Sequence, residues 1–166
     1  MDSRIEFEDG GLRAQLRAAQ RAVADLTPLM DSIGSQLDGS AKRRIEETNE
    51  APDGTPWPKS FRVIAGQGGK TLLDTTHLRD RITYRPAPGE VEIGTNVPYA
   101  ATHQYGATIR PVNAKALFFR LADGTAVQAG AVTIPARPFL GVSRADEEII
   151  SNDLVPAFWQ KVLADV

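Results

Sequence analysis

Three observations predict an α+β domain with helices at both ends and short antiparallel strands between them. Apolar residues recur at three- and four-residue spacing from Leu12 to Ile45. Short alternating runs, separated by Pro, Gly and Asp-Gly turns, fill the stretch from Ile82 to Ile134. A helix-start signature at Ser143 then opens an apolar-periodic ending. Helices, then strands, then a helix is the order of an α+β fold. The 166 residues are expected to form one domain over their whole length, since a chain this long buries roughly 70% of its unfolded surface.

The first eleven residues are polar and end in Gly10-Gly11, which reads as a loose N-terminal arm. Leu12, Leu16, Ala19, Val23 and Leu26 then mark one helical face, with Arg13, Arg17 and Arg21 beside it. Thr27-Pro28 ends that helix and starts a second, with Thr27 as N-cap and Pro28 where a missing N–H costs nothing. Leu29, Ile33, Leu37, Ala41 and Ile45 form its ridge, which Gly34 and Gly39 weaken. Each helix needs a sheet or a neighbouring subunit to cover its apolar face.

Residues 49–70 hold four Gly, three Pro and two aromatics, and read as a long Pro/Gly-rich loop. Trp57, between Pro56 and Pro58, is an apolar anchor on that loop. The spacing predicts a short helix over Leu72–Ile82, capped by Asp74 or Thr75, with Leu78 and Ile82 inward. Ile82–Arg85 and Glu90–Thr95 flank Pro86–Gly89 as a hairpin. Pro98 opens and Gly106 closes a helical turn over Tyr99–Gln104. Leu117–Leu121 and Ala126–Ile134 flank Asp123-Gly124 as a second hairpin. Ser143 and Asp146 have the spacing of a capping box, and Pro156 breaks or kinks the last helix around Asp153.

Composition excludes several functions. Nineteen Lys and Arg stand against 21 Asp and Glu, too little basic excess for a dedicated duplex-DNA binder. The absence of cysteine removes disulfides, thiolate metal sites and cysteine nucleophiles. No run reaches the roughly 18 apolar residues of a membrane span, and the start lacks a signal-peptide pattern, so a soluble chain used without export is expected. No cofactor or metal is expected. The charge is uneven: −3 over residues 1–50, +4 over 51–120 and −3 over 121–166, so a basic middle could complement the acidic ends of another copy.

His103 is the one candidate general base, with Tyr99 four residues earlier. Yet no Gly-x-Ser-x-Gly, His-Glu-x-x-His or paired carboxylates accompany it, so a histidine that ties a buried turn is the competing reading. Nothing around His77 suggests a role beyond solvent or a local hydrogen bond. The Gly66–Thr71 stretch falls short of a phosphate loop because Ile64 stands where the first glycine belongs. Pro135 and Pro138 stiffen Ile134–Gly141, so that Arg137 projects from a rigid segment anchored by Phe139 and Leu140. An arginine so held suits a carboxylate clamp within the subunit or across an interface.

Three blocks then occur in order: Leu72-Leu73-Asp74-Thr75 with Leu78-Arg79 and Ile82; Val91-Glu92-Ile93-Gly94-Thr95-Asn96 running into Pro98-Tyr99-Ala100 and His103-Gln104-x-Gly106; and Ile134–Gly141 with Ser143. In these blocks, which span residues 72–143, the sequence resembles the phage virion morphogenesis family, the tail-completion and neck proteins of Mu-like tailed bacteriophages. The resemblance implies a structural protein, not an enzyme, that forms a homo-oligomeric ring, as a hexamer, completing the tail or neck and joining tail to head. Implied partners are copies of itself, the tail tube protein and head–tail connector proteins. Genome DNA would pass through the lumen without sequence-specific binding, and no membrane is involved. The host cytoplasm during assembly and then the tail–neck junction of the virion are the implied locations. Gly94, Tyr99, His103, Gln104, Gly106, Pro135, Arg137, Pro138 and Phe139 are carried over as structural or interface motif positions, and Trp57 is expected to anchor the 49–70 loop on an adjacent ring. Two other classes stay open: a nucleic-acid-binding assembly factor using Lys59, Arg62, Lys70, Arg79, Arg81 and Arg85, and a hydrolase using His103.

Overall fold

A computed structural model describes residues 10–66, 68–121 and 123–164. The arm expected over residues 1–11 lies outside the described residues except for Gly10 and Gly11, which turn into the first helix. Helix α1 (Leu12–Ala24) packs along the C-terminal helix, but it turns Leu12, Leu16 and Val23 to solvent and buries only Ala18. Helix α2 (Thr27–Arg43) carries Pro28 in its first turn, but Thr27 is its first residue rather than its cap: Leu26 holds the cap position, and the Asp25 carboxylate accepts the Thr27 N–H at 2.9 Å.

Strands β1 (Ile82–Pro86) and β2 (Val91–Thr95) pair antiparallel, with Ile82 opposite Thr95, and lie across α2. Gly34 makes that contact possible. A Cβ there would sit 2.2 Å from Cδ2 of Tyr84, whereas a Cβ on Gly39 would meet nothing within 4 Å. Gly39→Ala should therefore raise stability by up to about 1 kcal/mol through helix propensity. Gly34→Ala should lower it despite the same propensity gain, because β1 must move away from the helix. Thermal melts of the two variants would show opposite signs; a stabilised Gly34→Ala would mean the α2–β1 contact is looser than described.

At its end α2 widens into a π-type turn (Arg44–Thr48), closed by Asn49 in the left-handed conformation at φ 56°. The Asn49 side chain donates to the carbonyls of Arg44 and Ile45, which would otherwise be orphans at a helix end. The Pro/Gly-rich stretch that follows is held by side chains acting on its backbone. Glu50 and Pro56 form an isolated bridge, and one helical turn, α3 (Phe61–Ile64), interrupts it. Arg62 donates to the carbonyls of Gly68, Lys70 and Leu73.

Several elements differ from expectation. The helix expected over Leu72–Ile82 contracts to α4 (His77–Asp80), because Leu72 and Thr76 are left-handed, at φ 66° and 58°, and stop a right-handed helix. Neither Asp74 nor Thr75 caps it. The Thr76 hydroxyl instead donates to Asp80 at 2.6 Å. Helix α5 (Ala100–Tyr105) falls where the helical turn was expected. The expected long strand over Ala126–Ile134 breaks at Gly130 into β5 (Ala126–Ala129) and β6 (Val132–Ile134). Strand β5 pairs with β4 (Leu117–Arg120), while β6 pairs with β3 (Ala107–Ile109), so the strands make three two-stranded ribbons rather than one central sheet.

The ending matches its sequence signals. Ser143 and Asp146 form a reciprocal capping box at the start of α6 (Arg144–Ile149). A second π-type turn (Ile150–Leu154) leads into α7 (Val155–Ala164). It lies one turn before Pro156, which has no N–H to donate and whose ring crowds the preceding carbonyl, so the helix widens there instead of breaking. The core sits between the end of α2, α4, β1 and the 137–140 segment: Ile45, Trp57, Leu78, Ile82, Val97, Ala100 and Phe139 form one buried cluster.

Candidate functional site

The candidate site is built around the extended strap of residues 135–141. Pro135 and Pro138 contribute no N–H, which leaves the strap few donors to satisfy. Arg137 N–H donates to the His103 carbonyl at 2.6 Å. Phe139 and Leu140 N–H both donate to Gln104 Oε1 at 3.0 Å, and Gln104 Nε2 returns a bond to the Leu140 carbonyl at 3.0 Å. The Gln104 amide thus stands in for a neighbouring strand. It also fixes the separation of α5 from the strap. That approach needs Gly106, which has φ 73°, because a Cβ there would lie 2.9 Å from the Ala136 nitrogen and 3.1 Å from the Ile134 carbonyl oxygen.

Arg137 suits a carboxylate clamp within the subunit or across an interface, but within this chain it holds backbone: Nε donates to the Pro58 carbonyl at 2.7 Å and Nη2 to the Lys59 carbonyl at 3.4 Å. It is 5% exposed, and burial lowers its pKa. Trp57 is also spoken for. Its indole lies in the core and donates to the Pro138 carbonyl at 3.0 Å, so the loop's anchor point is inside this chain and not on an adjacent ring. Phe139 fills the centre of the same cluster.

A cleft of about 390 Å³ opens beside the strap, lined by Ser60, Arg62, Asp74, His77, Tyr99, His103 and Arg137 among others. The Tyr99 and His103 rings meet edge-on with centroids 5.8 Å apart. Burial, and then the nearby Arg137 charge, hold the His103 imidazole below its ordinary pKa. His103 Nδ1 and Ser60 Oγ are both buried without a hydrogen-bond partner. They are therefore not bonded to each other. Gly94 lies apart, on the β1–β2 ribbon, where it lines a hollow of about 760 Å³ with Arg81, Arg85 and Glu92. A Cβ at Gly94 would meet nothing within 4 Å, so packing does not explain this glycine.

The motif positions of α5 and the strap, Gly94 apart, thus meet in one structural joint, and sequence comparison says which proteins the chain resembles. The sequence profile of the phage virion morphogenesis family matches residues 7–158. This chain belongs to that family. Mu-like prophage FluMu G protein 2 of Haemophilus influenzae (strain Rd) is 31% identical over 157 residues, which cover 93% of this chain and 96% of the relative. No solved structure matches the chain. The chain is therefore a phage morphogenesis protein.

For this virion morphogenesis protein, sequence reasoning missed one important group. Arg44 is buried, donates to Asp146 Oδ2 at 2.7 Å, and also bonds the carbonyls of Phe139 and Gly141. Gln36 donates to the other Asp146 oxygen at 3.2 Å. Burial alone would raise the Asp146 pKa, but hydrogen bonds from Ser143, Ser40 and Gln36 outweigh it and hold the carboxyl at about 2. The missed signal was an arginine on the Leu37–Ala41–Ile45 face of α2, where a charge must find a buried partner. Of the six basic residues of the nucleic-acid reading, Arg62 binds loop carbonyls, Arg79 pairs with Glu46 and Asp80, and Arg85 lies on the β1–β2 ribbon, where Glu92 faces it. Among the described residues no helix is long and apolar enough to cross a membrane.

Proposed function

We propose that the protein is a structural virion component that assembles as a homo-oligomeric ring, completing the tail or neck and joining tail to head. One observation carries this reading. The chain from Ala107 to Ile134 forms an arm of two ribbons, and neither β3–β6 nor β4–β5 packs substantially on another helix or strand. A lone two-stranded ribbon is marginal in water and needs a covering surface. The arm also exposes apolar side chains at and beside it: Tyr105 is 79% exposed, Val112 92% and Phe118 74%. Exposed apolar side chains on ribbons that lack a covering surface suit a protein–protein contact.

An arm that reaches onto a different surface of the next copy makes a head-to-tail contact, and such contacts give a ring where the rotation between copies closes. Helix α1, with Leu12, Leu16 and Val23 outward, offers a second uncovered face. A six-fold ring, contacts with the tail tube and connector proteins, and a lumen that DNA crosses without sequence readout follow from the family resemblance. So do assembly in the host cytoplasm and a final place at the tail–neck junction. The role is structural, in keeping with the virion morphogenesis family.

Native mass measured over a range of concentrations, with negative-stain images of any large species, tests the ring. The wild-type protein should give a ring, alone or on purified tails. The double variant Val112→Ser, Phe118→Ser should stay monomeric with an unchanged melting temperature, since both side chains already face water. A wild-type monomer at every concentration, with tails present, would refute the proposal.

A further inference from the structure

We propose that the cleft beside the strap is a binding site for a single carboxylate, held by the Ser60 hydroxyl, the His103 ring and the Arg137 guanidinium. Arg44 and Arg137 are the two arginines among the buried residues. Arg44 is matched by the Asp146 carboxylate at 2.7 Å. Arg137 has only the carbonyls of Pro58 and Lys59, which satisfy donors but leave its positive charge without a counter-ion. Its third nitrogen, Nη1, carries no hydrogen bond among the described residues.

The second observation is independent of the first. Among the described residues, two of the three buried side-chain polar atoms that lack any partner, Ser60 Oγ and His103 Nδ1, belong to residues lining this same cleft. Buried polar atoms are normally satisfied, and two orphans around one opening point to a missing group. The serine hydroxyl swings on one torsion, and the imidazole donates from Nδ1 in one of its neutral tautomers. With Nη1 they make three potential donors on residues lining one cleft, which a bound anion would draw together. Asp74, the one carboxylate in the lining, is exposed and lies 3.8 Å from Arg62, so it does not neutralise Arg137.

One uncompensated guanidinium balances one negative charge, which favours a carboxylate over a phosphate dianion. A planar carboxylate also matches the edge of a guanidinium. Two sources share this chemistry: a small free carboxylate, and an Asp or Glu side chain of another copy in the assembly. The site itself does not depend on the ring reading; only the second source does.

The test follows the His103 ring by NMR in histidine-labelled protein at fixed pH and ionic strength, with His103→Gln used to assign the signal. In dilute monomer, acetate exchanged for chloride should shift the signal saturably, and Ser60→Ala should weaken that response at least tenfold. If the carboxylate comes from a neighbouring copy, the assembled protein will show the shifted signal without acetate, and Ser60→Ala will weaken assembly. A signal unmoved by acetate in the monomer and unchanged on assembly would overturn the proposal. So would a response that chloride or phosphate reproduces and that Ser60→Ala leaves intact. A failed ring leaves the monomer arm readable, so the two readings fail separately.

Discussion

Replacing Asp146 with asparagine should lower the unfolding free energy by about 4 kcal/mol, a large part of the 5–15 kcal/mol typical of a domain. The size follows from what is left behind. The Arg44 guanidinium would stay buried without its counter-charge, and an NH2 donor would replace one of the two oxygens that now accept from Arg44, Ser143 and Gln36. For a chain of this size the loss is roughly a 10 °C fall in melting temperature. The double variant Arg44→Met, Asp146→Leu should recover much of it, because removing both charges removes the desolvation cost as well. Equal melting of wild type and Asp146→Asn would show that the ion pair contributes nothing.

The pH dependence has a definite sign. The Asp146 carboxyl titrates at about 2 in the folded chain against an ordinary 3.8, so the unfolded chain binds more protons between those values. Its contribution, about 2 kcal/mol, is fully present above the unfolded pKa and is lost as pH falls through the folded one. Asp146→Asn should therefore flatten, without abolishing, the rise of stability with pH in the acid range. Asp25, Asp53, Asp80 and Asp123 also have lowered pKa values, through hydrogen bonds from nearby threonines, and keep part of the slope.

How much of this was legible in the sequence depended on whether the signal was local. The helix starts at Pro28 and Ser143, the β1–β2 hairpin and the disturbance before Pro156 follow from neighbours within a few residues, and each occurs where expected. Contacts between distant residues were not legible. The 49–70 stretch read as a loose loop because Gly and Pro leave its backbone unpaired locally, yet Arg62, Asn49 and Arg137 supply the missing partners. Gly34 read as a weakness of α2 and is instead the point where Tyr84 of β1 approaches. The 126–134 run read as one strand, since alternation alone does not say that the chain changes partner at Gly130. Of the motif positions, Gln104 and Arg137 were marked for their place in the pattern; that both act on main-chain groups needed the fold.

Phe139→Ala should cost about 3–5 kcal/mol, comparable to the loss of the ion pair, and should disturb more of the site. The ring is 0% exposed at the centre of the cluster that includes Ile45, Trp57, Leu78 and Ile82, so its removal leaves a cavity that well-packed neighbours fill only in part. The backbone of the same residue joins the other two systems. Its N–H is held by Gln104 and its carbonyl by Arg44. Relaxation of the strap toward the cavity therefore strains both the amide bridge to α5 and the buried ion pair. Phe139→Leu, which keeps most of the volume, should lose less than half as much. If the strap is the joint between the core and the arm, Phe139→Ala should also reduce ring formation at temperatures where the protein is still folded, because β6 enters the strap directly at Ile134. Loss of stability with fully retained assembly would instead separate the strap from the arm and leave it a purely internal brace.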